Sequence, residues 1–225
     1  ELFSRTRRRF EYVPALSYSH ANHLVTAGEV DLFLSSSYAA NLATKSNPDL
    51  DIIAVETPFA SSALITSKTG TNSNSLNDSM TSLERIRGLR VGFGSRYAGI
   101  GFRYPLQQMA KLGITLDDLY SCSHIADHEL LIKNVTSGRL DYAFIRSTIE
   151  KQRRVSTKDY NVVWFSPPQQ DVVIVAANRL QSPQNYRLRT QLIALFRNLS
   201  ISRKNDRKIL DAIQVKAFEA PSRPF

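Results

Sequence analysis

Residues Val91 to Tyr104 read VGFGSRYAGIGFRY, with glycines at 92, 94, 99 and 101. A short apolar strand runs into this loop, and a helix is expected to follow it over Phe102 to Leu112, closed by Gly113. Glycine lets backbone approach a ligand closely, and the unpaired amides at a helix start favour an anion. The other residues able to do chemistry are few. Cys122, His124 and His128 stand close in sequence and suggest a metal, but no fourth ligand follows at a zinc-like spacing. Cys122 beside His124 lacks a third group to orient the pair, so nucleophilic catalysis is not indicated. His128-Glu129 opens a helix, where Asp127 is a good N-cap and the dipole favours Glu129. Arg146 falls at the C-terminal end of a strand, a ligand-facing place in open α/β sheets, and a guanidinium there can clamp an anion. It can equally pair with Glu150. No nucleophile–base pair emerges, which argues against an enzyme, and no motif implies a cofactor.

The elements that must position these residues contain an internal echo. Val25 to Leu34 is VTAGEVDLFL and Val135 to Phe144 is VTSGRLDYAF. In each, a helix ends at a glycine suited to a left-handed C-cap, and an aspartate, Asp31 or Asp141, leads into an apolar strand. Both aspartates read as turn and cap residues. Helices are expected at 1–9, 18–27 and 37–44, and strands at 10–15 (FEYVPA), 30–35, 51–58 and 61–68. A Ser/Thr/Asn-rich stretch, 69–82, reads as an exposed loop. Further strands are expected at LRVGFG, LDYAFIR, NVVWFSP and DVVIVAAN, a helix over DHELLIKNVTSG, and two last helices over Tyr186 to Asn198 and Lys204 to Ile213. Alternating strands and helices predict an α/β protein with mixed or largely parallel sheets. The two echoes predict two lobes: 1–70 with 171–225, and 71–170. The chain would cross between them near Lys68 to Ser75 and Pro167 to Gln170, with a ligand cleft between lobes.

The ordered set GEVDLFLSSSYA, SALITSKTG, LRVGFG with its glycine-rich loop, the His-Glu pair before a helix, SGRLDYAFI, VVWFSPPQQDVVIV and RKILDAIQVKAFEAPS resembles the type 2 periplasmic binding proteins. Within them it is most similar to the phosphate/phosphonate/phosphite-binding branch of transporter substrate-binding proteins. The resemblance implies a two-lobed fold with a hinge and an interlobe cleft. It also implies an anion held at the helix start after the glycine-rich loop. There the family's Ser-Thr-Ser-Gly run is replaced by Ala98, Gly99, Ile100 and Gly101, so the glycine is kept and three hydroxyls are gone. Arg96 or Tyr97 is expected to compensate. The resemblance also assigns ligand contact to His128, to Asp171 (opposite a ligand's amino group), and to first-lobe hydroxyls of Ser37, Tyr38 and Ser62. The family opens with a strand and ligand-facing loop, whereas Glu1 matches a position inside the helix that follows. A trimmed sequence and a lobe without its first strand both fit; the latter would leave a sheet edge to be covered by another chain.

Composition bounds the rest. The 225 residues are 42% hydrophobic and 22% charged, ordinary for a globular protein. Apolar runs such as DVVIVAA are too short to cross a bilayer. Polar and basic residues follow Glu1 at once, so no signal peptide is visible. One cysteine excludes an intrachain disulfide. A net charge of +9 favours acidic partners, but the basic run RTRRR has no aromatic platform, so nucleic acid is not indicated. The expected function is non-enzymatic binding of a small anion, outside the cytoplasm, for a membrane transporter or sensor. The alternative is a structural subunit of a larger assembly, mitochondrial for example, with a decayed ligand site.

Overall fold

A computed structural model describes residues 6–57, 60–68, 83–147 and 160–221. The chain divides into two units, with breaks between residues 59 and 60 and between 169 and 170.

The first unit begins with α1 (Tyr18–Thr26), whose start is capped by the Ser17 hydroxyl accepting the His20 amide. Strand β1 (Leu32–Ser36) leads directly into α2 (Ser37–Ser46), and β2 (Asp51–Glu56) follows. Past residue 169 come β8 (Val172–Ala176), α5 (Tyr186–Arg197), α6 (Lys204–Ala212) and β9 (Phe218–Glu219). The sheet order is β1-β8-β2-β9, and every neighbouring pair is antiparallel. Side-chain alternation sends Phe33, Val173 and Val175 to a face covered by Ala21, Val25, Ala40 and Ala43 of α1 and α2. Ile174 and Ala176 meet Leu192 of α5 and Leu210 of α6 on the other face. A bulge between Ile52 and Ala54 breaks the alternation, so Ile53 and Ala54 both join the α5–α6 face.

The second unit holds β3 (Ser62–Ser67), β4 (Arg90–Phe93), α3 (Tyr104–Lys111), β5 (Ser121–His124), α4 (His128–Thr136), β6 (Tyr142–Arg146) and β7 (Tyr160–Phe165). Its sheet runs β5-β4-β6-β3-β7. The β4 strand is parallel to β5 and β6, and β3 is antiparallel to β6 and β7. One face, with Leu64, Val91, Phe93 and Phe144, packs on Phe102 and on Met109 of α3. The other, with Ala63, Ile65, Ala143 and Ile145, packs on Leu131, Ile132 and Val135 of α4. At Gly92 a Cβ would stand 2.6 Å from the ends of the Leu131 and Leu140 side chains, so any larger residue there would make these leucines shift.

The echo is a repeated joint. Gly28 and Gly138 share φ +73. Gly28 and Glu29 amides donate to Val25 and Leu24 carbonyls; Gly138 and Arg139 amides donate to Val135 and Asn134 carbonyls. The aspartates do more than turn the chain. The Asp141 carboxylate accepts the Arg90 backbone amide and both ends of its guanidinium fork, at 2.8–3.0 Å. These bonds hold the Asp141 carboxyl below the usual range and raise Arg90 above its own. Asp31 pairs with Arg179.

Four expectations need correction. The first crossing lies before β3, not near residue 70, because β3 finds both its partners in the second sheet. The segment 10–15 is not a strand: it has no ladder partner among the described residues, and Tyr12 is 87% exposed. The first unit's sheet is antiparallel between neighbours, because the returning strand β8 inserts between β1 and β2. The helix after the glycine-rich loop begins at Gly99 rather than Phe102, as a π-helical turn over Gly99–Arg103 that continues into α3. The expected loop 69–82, residues 1–5 of the expected first helix and Glu150 lie outside the described residues.

A candidate anion site at one end of the second sheet

Strands β4, β5 and β6 are parallel, so their C-terminal ends lie together, and each of β4 and β5 runs there into a helix start. This is where open α/β sheets bind ligands. After β4, the Gly94 amide donates to the Gly101 carbonyl at 2.9 Å, folding the loop back on the helix start. The two glycines touch backbone to backbone: a Cβ on either would lie 3.2 Å from the other's Cα. Arg103 makes the first amide bond into the turn, to the Ala98 carbonyl at 3.1 Å. The amides of Gly99, Ile100, Gly101 and Phe102 precede it, and no side chain caps them. They are the donors that this end offers an anion.

Around this start the polar groups converge. His124 closes β5, and its Nδ1 lies 3.2 Å from the Gly94 carbonyl. Its ring stands edge-on to Phe102 with centroids 4.6 Å apart. His128 opens α4, with its Cε1 3.5 Å from a Cβ placed on Gly101. The His128 Nδ1 and His124 Nε2 are sealed from solvent with no hydrogen-bond partner among the described residues. Burial, reinforced by the positive charge of Arg146 and opposed by Asp127, pulls His128 from its ordinary 6.5 to about 4. It is therefore neutral at pH 7, a group that can exchange one hydrogen bond without bringing a charge. Arg146 ends β6, only 8% exposed, directly opposite Ser62 in the antiparallel ladder. Opposed residues project to the same face. Arg146 and Ser62 thus share the face of Phe144 and Leu64, the one the π-turn and α3 cover. The Ser62 hydroxyl is sealed with no partner among the described residues, while its amide donates to Ser166.

The sequence-derived residues divide between the units. Arg96, Tyr97, Ala98, Gly99, His128, Arg146 and Ser62 belong to the second. Ser62, expected in the first lobe, moves with β3. Ala98 is the N-cap of the turn, and its amide is already engaged by the Ser95 carbonyl at 2.8 Å. Arg96 is exposed on the loop. The sequence points to the loop amides from Ala98 to Gly101; the groups it did not offer are the Phe102 amide and His124. The glycine spacing marked the loop, but nothing in it marked a π-turn.

Ser37, Tyr38 and Asp171 lie in the first unit. Ser36 ends β1 and caps α2, its hydroxyl accepting the Ala39 amide at 3.1 Å. The Ser37 amide donates to the Asp171 carbonyl at 2.5 Å. The buried Glu56 carboxylate accepts the amides of Asp171 and Val172, the latter at 2.9 Å. Gln170 bonds Glu219 on the neighbouring edge. These bonds fix the ends of β1, β2 and β8 against one another and set Ser37 beside Asp171.

The fold has known counterparts. PhnD1 from Prochlorococcus marinus, solved in complex with methylphosphonate, matches with a TM-score of 0.85 at 21% identity, over 98% of this chain and 83% of that one. The binding protein component of an ABC phosphonate transporter from Pseudomonas aeruginosa matches at 0.75 and 19% identity, over 98% and 73%. The periplasmic aliphatic sulphonate-binding protein SsuA from Escherichia coli matches at 0.65 and 13% identity, over 95% and 67%. These likenesses establish the α/β fold of the type 2 periplasmic binding proteins. No curated protein sequence matches the chain. The family model described as ABC transporter, phosphonate, periplasmic substrate-binding protein covers residues 1–223, and the chain belongs to that family.

Proposed function

We propose that this protein binds a small phosphonate-like oxyanion, without transforming it, as the solute-binding component of an extracytoplasmic transporter or sensor. The observation that carries this reading is the helix start at Gly99, whose first four amides have no side-chain cap among the described residues, with a neutral His128 beside Gly101. Amides at a helix start, aided by the dipole, hold an anion without a formal positive charge. In the second unit the binding groups are the amides of Gly99 to Phe102, His128, Arg146 and the Ser62 hydroxyl, with Arg96 and Tyr97 on the loop above. Ser37, Tyr38 and Asp171 are the first unit's contribution, and binding proceeds by closure of the two units on the ligand.

The test is calorimetry and thermal shift with methylphosphonate, phosphate, methanesulfonate and acetate. Methylphosphonate at 100 times its Kd should stabilise the protein by about 2.7 kcal/mol. The lost hydroxyls at 98, 99 and 100 favour a second reading, a structural subunit with a decayed site, and that reading expects no stabilisation by any of these anions.

A further inference from the structure

We propose that the outer side of α5 and α6 in the first unit, with the basic run at residues 7–9, is a docking surface for a bilayer rich in anionic phospholipid. It is separate from the anion site and does not depend on it.

The net positive charge of the chain gathers on this side. Residues 186–212 carry seven Lys or Arg against two aspartates. Leu192 of α5 and Leu210 of α6 pack on one face of the first sheet, so the opposite sides of both helices meet solvent. Exposed there are Arg187 and Arg197 of α5, Lys204, Arg207 and Lys208 of α6, and Arg203 in the turn between them. Phe10 packs on the same apolar cluster, which brings the exposed Arg7, Arg8 and Arg9 to this side as well. Few carboxylates offset these cations. Asp206 is 1% exposed, bound to Arg203 and to the Ser200 amide. Asp51 is taken by Arg189, Asp31 by Arg179, and Glu219 by Gln170. Glu56 and Asp171 are buried, and Glu29 and Asp49 lie in the turns after α1 and α2, which cover the other face. Glu11 and Asp211 are the exposed carboxylates left among the basic residues.

Two features set this side apart from an ordinary solvated face. The cations stand where they cost stability: Arg203 is the N-cap of α6 and Lys204 its first residue, at the positive end of the dipole, with no side-chain cap. Asp206, in the first turn, is the one acid that offsets them. A local rule broken in this way points to a function. Apolar side chains also stand among the charges. Ile201 is 43% exposed in the turn between the helices, and Tyr12, Val13 and Leu16 are exposed in the stretch after Arg9. Cations interleaved with exposed aliphatic and tyrosine side chains suit a headgroup layer, where charge meets phosphate and the apolar groups enter the acyl boundary. A nucleic acid would engage the charges and leave Ile201 and Leu16 in water. Among the described residues no helix is long and apolar enough to cross a membrane, so the contact is with the bilayer surface.

The experiment is co-sedimentation of the full chain with vesicles of phosphatidylcholine alone or of an equal mixture with phosphatidylglycerol, at low and high salt. Wild type should bind the anionic vesicles at least tenfold more tightly than the neutral ones, and salt should release it. Lys204→Gln with Lys208→Gln should weaken that binding at least tenfold without lowering the melting temperature, because Lys204 opposes the helix dipole. Ile201→Ser should weaken it severalfold at unchanged charge. Wild type that stays in solution with anionic vesicles, or binds neutral ones equally well, overturns the proposal. So does vesicle binding that ignores both variants. Vesicle binding lost in the lysine variant but untouched in Ile201→Ser, with equal affinity for single-stranded DNA, overturns the bilayer as partner and gives the patch to nucleic acid. Methylphosphonate binding should be the same in wild type and both variants, so failure here leaves the anion site standing.

Discussion

Two helices of the second unit start at the same end of one sheet, and they start in opposite ways. The α4 helix is closed by its own chain: Asp127 supplies the carboxylate that its first amides need. The helix after β4 begins as a π-turn with no side chain offered to its amides, and Gly94 and Gly101 press together beneath it. One start is capped by a side chain; the other has no side-chain cap among the described residues, and it is the one proposed to take the anion. The pair separates stability from binding, since capping with a built-in anion stabilises the free protein and leaves no vacancy for a ligand. In the first unit, α2 behaves like α4, with the Ser36 hydroxyl as its cap.

Substitutions can break this contrast. The largest effect is expected at the glycine contact. Gly101→Ala puts a methyl against the Gly94 backbone, where no side chain can swing away, and should destabilise by about 1–3 kcal/mol and weaken methylphosphonate at least tenfold, read by urea melts and calorimetry. Next comes pH. His128 is held neutral when folded and takes a proton near 6.5 when unfolded, so the unfolded chain binds the proton first. Stability should therefore fall as pH drops from 6.5 to about 4, by roughly 2 kcal/mol, and His128→Asn should flatten that stretch of the melting curve. Methylphosphonate should reduce the loss, because a bound anion favours the charged imidazole.

Smaller effects sharpen the contrast. Asp127→Ala and Ser36→Ala each remove a cap and should destabilise by about 1 kcal/mol. Neither should weaken phosphonate binding more than twofold; a tenfold loss in Asp127→Ala would mean that α4, not the π-turn, holds the ligand. The smallest change is Ala98→Ser, which gives the open start a hydroxyl cap. It should stabilise the free protein by about 0.5 kcal/mol in thermal denaturation.

Much of this was legible in the sequence because it is local. The echo needed only Gly28 and Gly138 in their left-handed joints, with apolar residues on each side. The last two helices fell where their apolar spacing put them, at Tyr186–Arg197 and Lys204–Ala212. What was not legible depends on partners far away in the chain. FEYVPA has the composition of a strand, but a strand exists only with a neighbour to bond, and 10–15 has none among the described residues. The β3 strand reads as part of the first lobe by position, yet Ser62 faces Arg146 and Ala63 faces Phe165. Asp141 looks like a turn residue until Arg90 is brought to it from 51 positions away. At the site, sequence marked Gly99 and His128. It could not show that the Ala98 amide is spent on Ser95, a bond set by the loop's turn and not by residue type.

The place of β8 has a consequence for synthesis on the ribosome. It lies between β1 and β2, and its first amide bonds Glu56 across 116 positions. The second unit is continuous in sequence, from 60 to 169. The first unit cannot close until β8 has been made. At about 5–20 residues per second, β1 and β2 wait some seconds without the strand that joins them. Their apolar faces and bare edges are exposed throughout that interval, so newly made chain would be at its most aggregation-prone there, and slower translation past β2 would prolong the exposure.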